Sequence, residues 1–544
     1  MTAAPTKPSG LGRSTVLMAS GTAASRLLGL VRNSALVATI GLLGSAANAF
    51  GAANKLPSIL YLLIAGGALN AVLVPEVVRA YRRADGQVYV DKLLTLGIVG
   101  LAGLTLALTA AVPLLTFLYA DFPDPEVQRL TVALAFWCVP QVFFYGLYAL
   151  LGQILNARGS FGPFMWAPVV NNVVAIAGLV VFVALWGSRV PAEGQAGDVS
   201  WWGAEQIAVL AGTATLGVVA QALVLVVPLY RSGFRYRPRW GLRGSGLGTA
   251  GRLALWTFLG LVIGQVGVLV VYRVTTAAGT GDTAGNVVYD NAFLIFMLPH
   301  SLVTVSLMTA LFTRLSAKAA ADDTAGVRAD LSLGMRTVGL FTVLATTGIA
   351  VLAYPLVRAI FPSLRSGPAS DLATVVVTMV AGLVAFGVWS LCQRVYYAYQ
   401  DARSMIPIQV AMMLVVVGGT LLGQAVLGRG LWVAAAGVSM TVSYVLGAVA
   451  ALVVNRRRLG GLDGRRVLVT HAKAVAAALV AAGAGALVVR LLGPVGSAVD
   501  AVVLCVAGGA VIAGVYVALL LALRVRELET LAGPLLRRIR RTRA

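Results

Sequence analysis

Long apolar runs follow one another along the whole chain and limit what it can fold into. The hydrocarbon core of a bilayer, about 30 Å thick, is crossed by a helix of about twenty apolar residues. Runs of this kind lie at 14–43, 48–78, 91–119, 128–157, 164–187, 203–230, 250–279, 286–317, 330–361, 371–400, 404–427, 431–455, 467–490 and 499–524. Only 11% of the 544 residues are charged, whereas a soluble domain has about a quarter. The sequence therefore predicts an all-α polytopic membrane protein with about fourteen transmembrane helices.

The distribution of charge predicts an orientation in the membrane. The 42 Lys and Arg exceed the 20 Asp and Glu, and they concentrate in alternate loops, as at 79–83, 231–243 and 456–466, and at both ends of the chain. This asymmetry is the positive-inside pattern. It places the N- and C-termini in the cytoplasm, where the basic loops and the tail at 525–544 are expected to contact anionic lipid headgroups rather than nucleic acid.

Composition argues against several classes of function. The three cysteines, Cys138, Cys392 and Cys505, lie in apolar runs without a CxxC spacing, and the histidines are only two, His300 and His471. We therefore expect no disulfide framework and no metal site. Because no GxSxG, P-loop or HExxH motif is placed to act, we also expect no cofactor and no enzymatic activity.

A repeated turn predicts two lobes. Residues 156–160 precede a span containing Pro168, and residues 401–405 precede a span containing Pro407, about 245 residues and six helices later. An even number of helices keeps both copies in one orientation, as in transporters whose halves are related by an axis along the membrane normal. Chance similarity is the alternative, since short basic turns before proline are common. The predicted organisation is a cytoplasmic tail at 1–13, an N-lobe of six helices at 14–230, a basic cytoplasmic linker at 231–249, a C-lobe of six helices at 250–456, two further helices at 467–524 and a basic cytoplasmic tail at 525–544.

Four cations lie well inside the predicted spans: Arg26, Arg32, Lys55 and Arg273. A charge at the bilayer centre costs about 2.5–3.5 kcal/mol on insertion scales. The single negative charge of Asp290, early in the eighth span, cannot neutralise four positive charges. These cations therefore require water and an anion. For Lys55 and Arg273, which lie nearer the rim, snorkelling of the side chain to the interface is an open alternative.

The N-terminal motifs resemble those of the MurJ/MviN family. Residues 25–32 (Ser-Arg-Leu-Leu-Gly-Leu-Val-Arg), 48–50 (Asn-Ala-Phe), 55–57 (Lys-Leu-Pro) and 74–75 (Val-Pro) follow the family pattern in order and spacing. The resemblance covers about residues 14–460. It implies the fold of the MOP exporter superfamily, with two six-helix lobes and two C-terminal helices. It also implies transport of lipid II, an undecaprenyl diphosphate-linked disaccharide pentapeptide, across the bacterial plasma membrane.

The resemblance also implies which residues bind the substrate. Ser25, Arg26, Arg32 and Lys55 match family positions tied to a cationic cavity, and Asp290 matches a retained acid. The chain departs from the pattern at several positions, and two of them are candidate residues: Asn48 stands where many members have Asp, and Asn291 where an Arg is expected. Arg273 is our own addition, as a charge that restores one lost to the family pattern. The candidate substrate-binding residues are therefore Ser25, Arg26, Arg32, Asn48, Lys55, Arg273, Asp290 and Asn291.

These inferences together predict a lipid II flippase that works by alternating access. The substrate's diphosphate would be bound in a central cationic cavity, because the planar guanidinium of arginine matches phosphate oxygens. Two alternatives stay open. One is another MOP-type flippase for a polyprenyl-linked polysaccharide, and the other is a non-transporting scaffold that recruits cell-wall or division proteins through its basic loops and tail.

Overall fold

The computed structural model describes residues 9–64, 86–192, 194–241 and 251–527, and side chains at 20–63, 86–192, 194–241 and 255–527. Within these ranges the regular secondary structure is helical throughout and contains no strand. The predicted all-α class is thus confirmed. Part of the predicted second span, the linker at 242–249 and the tail beyond 527 lie outside the described residues.

Twenty α-helices make up the described chain. They are α1 Ser9–Ile40, α2 Ser45–Ile64, α3 Gly86–Ala110, α4 Val112–Tyr119, α5 Pro125–Cys138, α6 Gln141–Ala157, α7 Gly162–Trp186, α8 Ala204–Leu223, α9 Val226–Arg231, α10 Gly251–Ala278, α11 Asn286–Pro299, α12 Val305–Ala320, α13 Thr324–Val351, α14 Ala353–Ile360, α15 Ser366–Val380, α16 Leu383–Ala398, α17 Ile406–Val426, α18 Trp432–Arg458, α19 Gly464–Leu492 and α20 Ala498–Ala522.

As far as the chain is described, each apolar run of the sequence coincides with one helix or with two consecutive helices, the run 48–78 being described only to residue 64. Eleven helical segments of the described chain are long and apolar enough to cross a membrane, or twelve when the pair α15 and α16, bent by 43°, is counted as one span. The protein is therefore a multi-pass membrane protein. The predicted total of fourteen is not confirmed, since α1 and α2 are not among these segments.

Proline accounts for two interruptions within spans. Pro140 separates α5 from α6, and the turn after Pro299, His300–Thr304, is a π-helix that joins α11 to α12. Proline has no N–H and its ring clashes with the carbonyl one turn earlier, so a regular helix cannot continue unchanged. The break at Pro140 places Gln141 at the first position of α6.

The chain folds as two compact units. The first contains the described residues of Met1–Gln265 together with Gly279–Val287, and the second those of Val266–Ala278 together with Val288–Ala544. In the first unit Leu94 of α3 packs with Leu151 and Leu155 of α6. In the second, α19 and α20 pack through small alanines and Ile512 against α13, as expected for membrane helices that associate by close contact of small side chains.

Each unit buries one carboxylate near the start of a membrane-spanning helix. Asp91 of α3 lies 3.9 Å from the guanidinium of Arg239. Asp330 of α13 lies 2.6 Å from Arg314 and 2.8 Å from Lys318. The two acids are almost completely buried and lie 239 residues apart in the chain, close to the interval between the repeated turns.

Candidate functional site

Arg32 lies on α1 in the first unit and is half-buried. Tyr145 on α6 lies near it. Tyr145 donates a hydrogen bond of 3.4 Å to Oε1 of Gln141 one turn earlier, and its ring centroid lies 5.6 Å from that of Tyr61 on α2. Arg32 thus lies near a phenol group, and among the described residues it forms no ion pair with a carboxylate.

Gln141 connects three helices of the same unit. It is the first residue of α6, directly after the break at Pro140, and it is buried. Its Nε2 donates to Oγ1 of Thr215 on α8 at 2.9 Å and lies 3.4 Å from Oδ1 of Asn54 on α2. We call Arg32, Asn54, Gln141, Tyr145 and Thr215 the Arg32 network. Polar groups joined in this way are rare in lipid-facing helices and are typical of a bundle interior or a hydrated cavity.

Arg26 and Arg32 have no acidic partner in the described part of the chain, where neither forms an ion pair with a carboxylate. Arg26 is exposed and Arg32 half-buried. A guanidinium cannot release its proton in a protein, so both remain charged within the span predicted at 14–43. Such charges are tolerated where water or an anion reaches them.

Ser25 contributes through its backbone. Its carbonyl accepts a hydrogen bond of 3.0 Å from Nδ2 of Asn172 on α7. This bond ties α1 to α7 at the residue that precedes Arg26. The predicted role of Ser25 in binding stays a prediction, while the structure gives it a contact that orients the helix carrying both arginines.

Asn48 of α2 is completely buried, and its side-chain amide is held by backbone groups. Nδ2 donates to the carbonyls of Gly44 at 2.9 Å and Gly279 at 3.0 Å. Oδ1 accepts from the N–H of Val287 at 3.2 Å, and Asn286 donates from its side chain to the Asn48 carbonyl at 3.1 Å. Asn48 thereby fastens the start of α2 to the segment 279–287 of the same unit.

The surroundings of Asn48 explain why this position is an amide. Two carbonyl oxygens face Nδ2, and an aspartate has no donor to offer them. Two glycines make room for the amide, since a Cβ on Gly279 would lie 2.5 Å from Nδ2 and one on Gly285 would lie 2.4 Å from Oδ1. The departure from the family's aspartate therefore has a local structural reason.

Lys55 is half-buried on α2, two residues before Pro57. Its carbonyl accepts a hydrogen bond of 2.8 Å from the hydroxyl of Ser58. Lys55 belongs to the first unit together with Ser25, Arg26, Arg32 and Asn48, so that unit contains most of the predicted binding residues.

Arg273, Asp290 and Asn291 belong to the second unit. Arg273 is half-buried on α10, and Asn291 is buried on α11. The hydroxyl of Tyr272, next to Arg273 in the chain, donates a hydrogen bond to Oδ2 of Asp290. This bond links α10 to α11 and engages one oxygen of the only acid among the predicted binding residues.

Sequence reasoning missed Tyr145 and Gln141. Both lie in an apolar run without a motif, and the available signal was a glutamine immediately after a proline within a span. Among the described residues no group of three His, Cys, Asp or Glu is arranged to hold a metal ion. The polar interior of the first unit therefore offers cationic, phenol and amide groups for an anionic or hydroxyl-rich ligand.

The chain matches known proteins along most of its length. The sequence model described as "Lipid II flippase MurJ" matches residues 37–506. A probable lipid II flippase MurJ of Haemophilus influenzae is 26% identical over 448 residues, covering 78% of this chain and 82% of the relative. A probable lipid II flippase MurJ of Vibrio cholerae is 27% identical over 409 residues, covering 72% and 73% of the two chains.

Solved structures agree on the fold. A lipid II flippase MurJ in an inward closed conformation superposes with a TM-score of 0.70 at 17% identity, covering 93% of this chain and 99% of the other. A multidrug resistance MATE family transporter of the MOP superfamily, in an inward-facing conformation, gives 0.65 at 16% identity, covering 81% and 96%. A flippase is a transporter, so these matches also agree with the prediction that the chain is not an enzyme. Because the family match spans well over half of the sequence, the chain belongs to the lipid II flippase MurJ family.

Proposed function

We propose that this protein translocates lipid II across the bacterial plasma membrane by alternating access, with the substrate's diphosphate bound by cationic side chains. Family membership supports the substrate class, and the MOP-type fold supports a transporter. The positive-inside asymmetry of the loops supports cytoplasmic termini. The binding mode rests on the residues of the first unit described above.

The observation that carries this proposal is the pair of arginines without a carboxylate partner among the described residues of the first unit. A diphosphate supplies the missing negative charge. The guanidinium forks of Arg26 and Arg32 suit its oxygens because arginine forms paired, charge-assisted hydrogen bonds with phosphate. In a medium of low dielectric constant such bonds are stronger than in water.

The neutral members of the Arg32 network would serve two purposes. Tyr145, which lies near Arg32 and bonds Gln141, would add polar groups beside the guanidinium without neutralising it as a carboxylate would. Asn54 and Thr215 add acceptors and donors next to Gln141, which suits the hydroxyl and amide groups of a sugar–peptide headgroup. Lys55 and Arg273 are proposed to contribute further positive charge, with Asp290 and Asn291 as polar contacts.

Complementation of a bacterial strain depleted of its own flippase tests the proposal. We expect Arg26→Glu and Arg32→Glu to abolish growth at normal protein levels in the membrane, because each places a negative charge where the diphosphate binds. The matched control is Arg490→Glu, which reverses an exposed arginine in the last turn of α19 and should complement fully. Full complementation by the Arg26 and Arg32 variants would refute the assignment.

The alternatives give different outcomes in the same strain. A flippase for another polyprenyl-linked saccharide would leave lipid II accumulating on the cytoplasmic side even when the wild-type chain is expressed. A scaffold would tolerate charge reversal at Arg26 and lose function on truncation of 526–544. Direct measurement of lipid II translocation in proteoliposomes separates both from the proposed activity.

A further inference from the structure

A second cationic site lies in the second unit, away from the residues assigned to the substrate. A cleft of about 470 Å³ opens where the ends of α13, α19 and the segment after α20 meet. It is lined by six cationic side chains: Arg336, Arg465, Arg466, Lys473, Arg524 and Arg526. Two carboxylates, Asp463 and Glu527, also line it, so the cleft has an excess of four positive charges.

Part of this charge is already compensated within the protein. Arg336 forms an ion pair with the buried carboxylate of Glu527, and Arg466 lies 3.5 Å from Asp463. Lys473 donates to the carbonyl of Leu523 at 2.7 Å, at the C-terminal end of α20, where a cation is favoured by the helix dipole.

The charges of Arg465 and Arg524 are not compensated in this way. Both are exposed, and among the described residues neither has an ion pair or a side-chain hydrogen bond. The two guanidinium groups line the same cleft, and like charges that share a site repel each other unless an anion lies between them. An anion bound between the two guanidinium groups would relieve this repulsion.

The backbone of Arg524 lies in the left-handed region of φ. Arg524 has φ +51° in the turn that ends α20, where the N–H of Val525 bonds the carbonyl of Leu520. Glycine is the usual residue at this left-handed position, and a larger residue there costs about 1 kcal/mol or more. Asp463, which also lines the cleft, has φ +51° as well. Glycine would therefore fit position 524 with less backbone strain than arginine does.

The position of the cleft identifies the source of the anion. α19 begins and α20 ends at the cleft, and both are long apolar helices of membrane-spanning length. Leu468 is 71% exposed and Leu479 70% exposed on α19, so the helix that contributes Arg465 also presents leucines to the acyl chains. Basic pockets between membrane helices at the cytoplasmic side bind the headgroups of anionic lipids.

We propose that this cleft binds the phosphodiester headgroup of an anionic membrane phospholipid, with Arg465 and Arg524 as its principal ligands. The acyl chains would lie along the exposed apolar face of α19. The bound lipid would join the segment after α20 to the start of α19, alongside the Arg336–Glu527 ion pair.

The test is a lipid titration of the purified full-length protein in detergent, followed by thermal unfolding and by native mass spectrometry. The probe is phosphatidylglycerol, with phosphatidylcholine and sodium phosphate as comparators. We expect the double variant Arg465→Gln/Arg524→Gly to bind phosphatidylglycerol at least about tenfold more weakly than wild type. The control Arg456→Gln/Arg457→Gln removes two exposed arginines of α18 that do not line the cleft and should bind like wild type.

Three results would overturn the proposal: equal phosphatidylglycerol binding by the double variant and wild type, equal stabilisation by phosphatidylcholine, or full stabilisation by sodium phosphate, which would assign the cleft to a free anion. The lipid-free melting temperature checks folding, and glycine at position 524 should not lower it because glycine relieves the positive φ. If the double variant does not fold, phosphatidylglycerol binding by the single variant Arg465→Gln decides. This variant should fold because the side chain of Arg465 is exposed.

Discussion

The guanidinium of Arg458 lies 2.9 Å from the carboxylate of Asp401 and stacks 4.7 Å from the ring centroid of Tyr399. This contact joins the turn between α16 and α17 to the C-terminal end of α18. In the first unit, Arg158 in the turn after α6 donates to the carbonyl of Ser232 at the end of α9. The two repeated turns of the sequence are thus each tied to the end of a later helix, by an ion pair in one unit and by a carbonyl in the other.

This ion pair predicts a pH dependence of stability. Burial acts to raise the pKa of Asp401, but hydrogen bonds from Ser404 and attraction to Arg458 outweigh it and lower the pKa from its usual value. A carboxyl whose pKa is lower in the folded state stabilises above the unfolded pKa of about 4, and this stabilisation is lost as pH falls through the folded pKa. We expect Asp401→Asn to melt earlier than wild type at pH 7, with the difference shrinking below about pH 4.

The expected effect is about 1 kcal/mol or less, because the pair is partly exposed and screened. Arg458→Gln should reproduce it in thermal unfolding in detergent. Arg457→Gln is the matched control, as this neighbouring arginine is exposed on the same helix end. A difference between Asp401→Asn and wild type that is constant from pH 7 to pH 3 would contradict the argument.

Asp330 should matter more for stability than the acid that caps the same helix. Asp330 is buried and contacts both Arg314 and Lys318, whereas Asp323 accepts one hydrogen bond from the N–H of Gly326. Removing one partner of a buried ion pair costs about 3–5 kcal/mol, and the low end applies here because the side chains of Arg314 and Lys318 are 57% and 30% exposed. Losing an N-cap costs about 1 kcal/mol. We therefore expect Asp330→Ala to destabilise about threefold more than Asp323→Ala in chemical denaturation. Equal destabilisation by the two variants would show that water solvates Arg314 and Lys318 well enough without Asp330.

Asn48 should not tolerate the aspartate found in many family members. In Asn48→Asp a carboxylate oxygen would replace Nδ2 and face the carbonyls of Gly44 and Gly279. Burying an unpaired charge or losing two buried hydrogen bonds destabilises by about 2–4 kcal/mol. We expect a lower yield of folded protein and a lower melting temperature by size-exclusion chromatography and thermal unfolding.

Glycine variants give a control for this interpretation. Gly285→Ala should destabilise as well, since its Cβ would lie 2.4 Å from Oδ1 of Asn48. Gly348→Ala should be neutral or slightly stabilising, because that helical glycine has open space beside it and alanine favours helix. Normal stability of both Asn48→Asp and Gly285→Ala would mean that the start of α2 is not fastened as described.

Tyr145→Phe should impair transport without unfolding the protein. The change removes the hydroxyl that bonds Gln141 near Arg32, and it keeps the ring that packs on Tyr61. A misplaced guanidinium binds phosphate less well, so we expect a roughly tenfold lower rate of lipid II translocation in proteoliposomes, about 1.4 kcal/mol. Tyr230→Phe, at an exposed tyrosine, is the control. An unchanged rate in Tyr145→Phe would remove this residue from the site.

The sequence by itself determined the helical architecture. Within the described residues the apolar runs coincide with one or two helices each, because the bilayer requires a minimum apolar length and the backbone must satisfy its own hydrogen bonds there. The N-terminal motif also determined the family, and the proline at 140 marked a helix break. These are local properties, set by the side chains within one turn or one span.

Only the tertiary structure decided which polar groups meet. Asn48 bonds to Gly279, 231 residues away, and Arg32 lies near a tyrosine on a different helix. Arg465 and Arg524, far apart in the chain, line one cleft. Hydropathy says only that a helix crosses the membrane, whereas partnership depends on helix rotation and packing. Rotation and packing are set by contacts among all the helices at once and leave no periodic trace in the sequence of one of them.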